Sequence, residues 1–203
     1  MNGIAAAETA TPRVVRTLVG TLLVYAFLVR FLRCGEGLPY IHGWDEPQTA
    51  GTALRIMQTG DFNPHFFTYG SVTVYLHLLV DILHYFYLMG QPDTAPSYLK
   101  SLSEIRTQFD TGWIWTISHP SFYFWNRALV ALMGTGAVGL VYLIGRRVAG
   151  WGAGLLAAAL LAGLEIHIRH STIVTPDVPT SVFVLATVLL SIVFVESGRA
   201  VHL

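Results

Sequence analysis

Four stretches of this chain, residues 13–33, 122–145, 148–168 and 177–195, each approach the about 20 mostly apolar residues that an α-helix needs to cross a bilayer. This pattern constrains the fold most. In lipid every backbone N–H and C=O must be satisfied within the protein, so isolated apolar runs of this length become helices. Composition agrees: the 203 residues are 53% hydrophobic and 12% charged, against about 25% charged in an ordinary soluble domain. The predicted fold class is all-α, a polytopic membrane helix bundle in which residues 34–121 form a large external loop carrying juxtamembrane helices.

The first span is flanked by Arg16 and Arg30, which are expected to snorkel to the headgroups. Gly145-Arg146-Arg147 reads as a tight basic turn joining the second and third spans into an antiparallel hairpin. Gly134, Gly136, Gly139, Gly152 and Gly154 let neighbouring helices approach closely. A fifth apolar stretch, residues 72–89, is long enough to span but carries His77, Asp81 and His84, which are costly at the bilayer centre. Its aromatic residues Tyr75, Tyr85, Phe86 and Tyr87 suit an interface, so it reads as a juxtamembrane or dipping helix. The rest of the loop predicts a helix over 46–59, a turn at Gly60 to Pro64 and an amphipathic stretch over 97–109. Trp113 and Trp115 form an interface anchor ahead of His119-Pro120. Arg13 and Arg16 precede the first apolar run with no cleavage site behind it, the pattern of an uncleaved signal anchor.

Twelve basic and twelve acidic residues cancel, so no basic surface points to nucleic acid as a partner. The positive-inside bias does not decide between four spans and five. The single cysteine, Cys34, has no partner for a disulfide or a thiolate metal site. Eight histidines raise a haem or metal reading: His77 and His84 share a helix face, and Glu165, His167 and His170 cluster near a helix end. A bis-His haem needs ligands converging from two helices, and a metal site needs closer ligand spacing than this. No cofactor or metal is required by these residues, and a divalent ion between Asp45 and Asp177 is left open.

The stretch HGWDEPQTA sets Asp45 and Glu46 side by side just beyond the first span, with Pro47 behind them. Acids and proline are favoured in the first turn of a helix, so a capped surface helix is one reading. Asp177, between Pro176 and Pro179, is likewise a good helix cap at the mouth of another span. The wider context adds a second reading. The run WDEPQTAGTALRIMQTGDFNPHFFTYGSVTVYL, Trp44 to Leu76, resembles the first external loop of the GT-C type lipid-linked-sugar glycosyltransferases. This superfamily includes the protein O-mannosyltransferases and the aminoarabinose transferases acting on lipid A. Its usual proline is replaced in Tyr69-Gly70-Ser71. WNRALVALMGTGAVGLVYLIGRR resembles the superfamily's second span, which opens with an arginine and closes with a basic turn. RHSTIVTPDVPTSVFVLA resembles a later external loop, in which an arginine precedes an aspartate that opens the next helix.

The resemblance implies transfer of a sugar from a polyprenyl-phosphate donor to an acceptor hydroxyl on protein, lipid or glycan, with inversion. It places the protein in the plasma (inner) membrane, multi-pass among membrane lipids, with its site on the external, periplasmic side. Such a reaction needs a carboxylate to take the acceptor proton and a cation for the phosphate leaving group. Asp45 is the candidate base; Glu46, the second catalytic candidate, orients Arg127 or the acceptor. Arg127 matches the superfamily's functionally important arginine, and Arg169 is a second candidate for the phosphate. Asp177 is expected to bind sugar hydroxyls or support the base, and His65 and Tyr69 complete the substrate-binding set. Members of the superfamily resemble one another over a longer chain with more spans, so the sequence reads as the N-terminal part of such a module. The alternative is a transporter or other non-enzymatic membrane protein. Transporters, however, usually keep polar groups and broken helices at the midplane, whereas these acids lie at span ends.

Overall fold

The computed structural model describes residues 12–42, 45–91, 108–110, 114–117 and 119–198. Among the described residues six helices and three short strands follow in the order α1 (Pro12–Phe31), β1 (Tyr40–His42), α2 (Asp45–Thr59), α3 (Ser71–Met89), β2 (Gln108–Asp110), β3 (Ile114–Thr116), α4 (Pro120–Gly163), α5 (Glu165–His170) and α6 (Asp177–Ser197). The fold is the all-α membrane bundle that the apolar runs require. Helices α1, α3, α4 and α6 are long and apolar enough to cross a membrane.

The second predicted span and most of the third lie within α4; the third runs past its end at Gly163 into α5. Helical dihedrals fail at Ala149 (φ −141°, ψ 19°) and Gly150 (φ 86°, ψ 172°), and there the chain folds back. The turn is therefore not at Gly145-Arg146-Arg147, as the basic run suggested, but just beyond it, where Gly150 takes a positive φ at no steric cost. Gly145 serves the contact between the two arms instead. A Cβ on it would come within 2.8 Å of the Gly154 Cα, and one on Gly154 within 2.6 Å of the Tyr142 carbonyl oxygen. Close backbone approach through small residues is how helices associate where lipid removes the hydrophobic drive. Below this contact Val138 and Tyr142 pack against Ala158 and Ala162, with Ala26 of α1 in the same cluster.

Antiparallel packing gives the bundle two distinct ends. At one, Arg16, Arg146, Gly150 and Trp151 line a common cavity, and Arg147 pairs with Glu196 at 2.8 Å. At the other, Phe31 meets Phe124 edge to face at 5.6 Å, Arg33 reaches Glu165 at 3.1 Å, and α2, α5 and the start of α6 gather. The first may be called the basic end and the second the carboxylate end.

Helix α3 meets the length criterion for a span, yet both of its ends pack at the carboxylate end. Val74 and Leu78 lie against Ala53 and Ile56 of α2. Leu88 joins Ile41, Ile117 and Phe122. Helix α3 is thus held by α2 on one side and by the first turns of α4 on the other. The strands form a three-stranded antiparallel sheet in the order β1-β3-β2, with Tyr40 and Gln108 both opposite Thr116. At three residues each they are too short for alternation to reveal them in sequence. The expected amphipathic stretch 97–109 lies outside the described residues, except that Gln108 and Phe109 are in β2. Trp113 also lies outside them, and Trp115 is in β3.

Arg30 corrects a sequence expectation. It does not snorkel to the headgroups but is fully buried. Its Nη1 donates to the carbonyls of Ala26 (2.8 Å) and Ala162 (3.4 Å), and its Nη2 to Leu161 (3.4 Å) and to His167 Nδ1 (2.8 Å). Leu161 and Ala162 end the returning arm of α4, whose last carbonyls lack intrahelical donors and carry the negative end of the helix dipole.

Candidate active site

The carboxylate end is organised around Arg127, in the second turn of α4. Its Nε and Nη2 donate to Glu46 Oε1 and Oε2, each at 2.8 Å, a two-pronged pair with both side chains almost wholly buried. Nη1 donates to the carbonyls of Cys34 (3.1 Å) and Glu36 (2.8 Å) in the turn after α1. Glu46 Oε1 also accepts the Val174 backbone N–H at 2.9 Å. One guanidinium and one carboxylate thus join the end of α1, the start of α2, α4 and the loop before α6. Planar, charge-assisted pairing of this kind is what makes such a buried charge tolerable. Arg127 is therefore built into the frame of the site, with each of its three nitrogens donating to protein.

Glu46 turns inward on the first turn of α2, which leaves its neighbour Asp45 half-buried at the edge of the site. Tyr69, two residues before α3, donates its phenolic O–H to Asp45 Oδ1. That bond, then loss of solvent and the charges of Asp45 and Asp177, pushes the Tyr69 phenol up to about 12, so it remains a proton donor at neutral pH. Asp177 opens α6 and is close enough for its charge to act on Tyr69. Its Oδ2 lies 3.1 Å from His170 Nδ1 at the end of α5. Asp45, Tyr69, Asp177 and His170 therefore share one end of the bundle.

Beside them is a cleft of about 260 Å³, lined by Arg33, Glu36, Glu46, Arg127, Arg169 and Thr172 among others. The cleft acids are already engaged: Glu46 by Arg127, and Glu36 by Arg33 at 3.1 Å. Arg169 is exposed and has no side-chain partner among the described residues. Its guanidinium is unengaged among the described residues, whereas Arg33 and Arg127 spend donors on Glu36, Glu165 and Glu46.

His65 stands apart from the Asp45–Tyr69 pair. Its Nε2 lies 2.8 Å from Asp61 Oδ2, and its backbone N–H donates to Asn63 Oδ1, inside a turn where His65 itself takes φ 49°. The backbone N–H of Asn63 and then His65 hold the Asp61 carboxyl below its ordinary value of 3.8. Among the described residues, no three His, Cys, Asp or Glu come together as a metal-binding group. His77, His84 and His167 are engaged elsewhere: His77 with Asn126, His84 among aromatic rings, His167 with Arg30. Two participants escaped the sequence reading. Asn126 binds α3 to α4, and its one signal is an amide beside an arginine at the head of an apolar span. His170 drew notice only as a metal ligand.

A family profile for dolichyl-phosphate-mannose-protein mannosyltransferases matches residues 121–203. The resemblance of the sequence to GT-C type glycosyltransferases is thereby supported. The matched region holds Arg127, Arg169 and Asp177 and stops short of Asp45, Glu46 and Tyr69. The matched region, which holds most of the α4 hairpin and α6, is thus similar to part of a membrane mannosyltransferase family. No curated protein and no solved structure matches the chain.

Proposed function

We propose that the protein transfers a sugar from a polyprenyl-phosphate donor to an acceptor hydroxyl at the carboxylate end of the bundle, on the external face of the membrane. The observation that carries this reading is the Tyr69 hydroxyl donating to Asp45 at the edge of the site. A hydroxyl already seated on this carboxylate marks where an acceptor O–H would lie, within reach of a lone pair that can take its proton. In the transfer, the acceptor oxygen forms a bond to the anomeric carbon as the bond from that carbon to the phosphate oxygen breaks. The proton passes to Asp45, and the electron pair leaves with the phosphate. Arg169, with unspent donors in the arginine-lined cleft, is the group for that developing charge. Glu46 and Arg127 hold the frame, and Asp177 with His170 borders the sugar. The location suits the substrates, since a lipid-anchored donor and a water-borne acceptor meet only at the boundary.

The test uses the full-length protein in native membranes or proteoliposomes, with a radiolabelled sugar on a polyprenyl phosphate. Label passing to an extractable acceptor supports the reading, with acceptor accessible to a reagent added from the external side. Transfer from a soluble nucleotide sugar, or ion-gradient-driven uptake without transfer, would overturn it.

A further inference from the structure

Asn126 and Arg127 are consecutive residues of α4, and between them they hold both helices that deliver the Asp45–Tyr69 pair. Arg127 grips Glu46 and so sets the first turn of α2, where Asp45 lies. Asn126 grips α3. Its amide Nδ2–H donates to Asp81 Oδ1 at 2.8 Å, and its Oδ1 accepts from His77 Nδ1–H at 2.9 Å. All three side chains are fully buried. His77 and Asp81 lie one turn apart on the same face of α3, so a single amide spans two successive rungs and fixes both the rotation of the helix and its height along α4.

Apolar contacts alone would not do this. Val74, Leu78 and Ile82 pack on Ala53, Ile56 and Met57, but such contacts are non-directional, and α3 could slide by a turn at little cost. Buried polar groups satisfied in only one register are the better-attested way to select it. Tyr69 follows α3 because the intervening residue, Gly70, is its N-terminal cap. The preceding loop is tied to both helices, by Tyr75 O–H to the Phe62 carbonyl (2.9 Å) and by Arg55 Nη2 to the Pro64 carbonyl (2.6 Å).

We propose that Asn126 is a positioning residue: through His77 and Asp81 it sets the register of α3, and thereby seats the Tyr69 phenol on Asp45. Asn126 touches neither of them. The proposal rests on the reading of Asp45 as the base for its meaning in the reaction, but its test does not depend on sugar transfer.

Fluorotyrosine incorporated at position 69 of the full protein in detergent gives a fluorine resonance that reports the Asp45 contact; its position in Asp45→Ala, which removes the acceptor, defines the lost contact. Asn126→Ala moves the resonance most of the way to that position while helical circular dichroism is retained. Should Asn126→Ala fail to fold, Asp81→Ala breaks half of the clamp without leaving a buried charge, and shifts the resonance in the same direction. Asp81→Asn keeps an acceptor for the Asn126 amide and leaves the resonance at its wild-type position. A wild-type resonance in both Asn126→Ala and Asp81→Ala, or in whichever of them folds, overturns the proposal. So does a shift in Asp81→Asn as large as that in Asn126→Ala. If the wild-type protein transferred no sugar, the assignment of Asp45 would fail while these spectra still decided the role of Asn126.

Discussion

Arg127 and Arg30 are both buried guanidiniums in an apolar bundle, both near its carboxylate end, and they are made tolerable in opposite ways. Arg127 meets a full opposite charge, Glu46, in two-pronged geometry. Arg30 meets no acid among the described residues; it faces four neutral acceptors, the carbonyls of Ala26, Leu161 and Ala162 and the His167 ring. A paired charge makes each partner depend on the other, because removing one strands the other in a low dielectric. A charge held by carbonyl dipoles strands nothing charged when it is removed. The site is built on the first kind, and the packing of α1 against the α4 hairpin on the second.

Single truncation should separate the two most widely. Arg127→Ala or Glu46→Ala is expected to cost about 3–5 kcal/mol, read as a lowered unfolding midpoint in detergent and loss of transfer. Replacing both by apolar residues of similar volume should cost less than either alone, which a double-mutant cycle measures. Next comes Gly134→Ala. The added Cβ would clash with Ser171 Oγ and lie 2.8 Å from Ser171 Cβ and 3.3 Å from Arg30 Nε, an overpacking worth about 1–3 kcal/mol that Ser171→Gly should partly relieve. Arg30→Leu should cost only about 2 kcal/mol or less, because only neutral acceptors and a helix terminus lose their donor.

The smallest effect is expected at the exposed Asp61–His65 pair, both side chains about half exposed. Its carboxyl is held below 3.8 in the folded state, so its contribution is present above that pH and fades as pH falls through the depressed value. Asp61→Asn should therefore leave the unfolding midpoint at pH 7 unchanged within error. A change as large as that of Arg30→Leu would show that exposure is not what divides these pairs.

The apolar runs made the bundle legible in sequence because hydrocarbon leaves the backbone no other choice. Residues Asp45 and Asp177 could be seen as acids at span ends, since charge is scarce in this chain and its position conspicuous. Tyr69 entered the same set only through the resemblance, and its bond to Asp45 could not be read, because residues 45 and 69 are joined there only through the fold. The clamp at Asn126 is hidden for a related reason: His77 and Asp81 read as costly in α3, and the amide that bonds one polar atom of each comes from another helix. The turn at Gly150 was misplaced because Gly145-Arg146-Arg147 combines a glycine with charge, whereas the dihedral requirement falls on a later glycine. Arg30 was misassigned because a guanidinium near a helix end has two outlets, headgroups or a neighbouring helix terminus, and only packing chooses between them.

The role of Asp45 is tested most directly by the initial rate of labelled-sugar transfer in the full protein carrying Asp45→Asn, a change that keeps an oxygen for the Tyr69 hydroxyl but removes the base. The predicted result is a fall on the order of a hundredfold or more with an unaltered unfolding midpoint. Transfer at the wild-type rate would contradict Asp45 as the group that takes the acceptor proton.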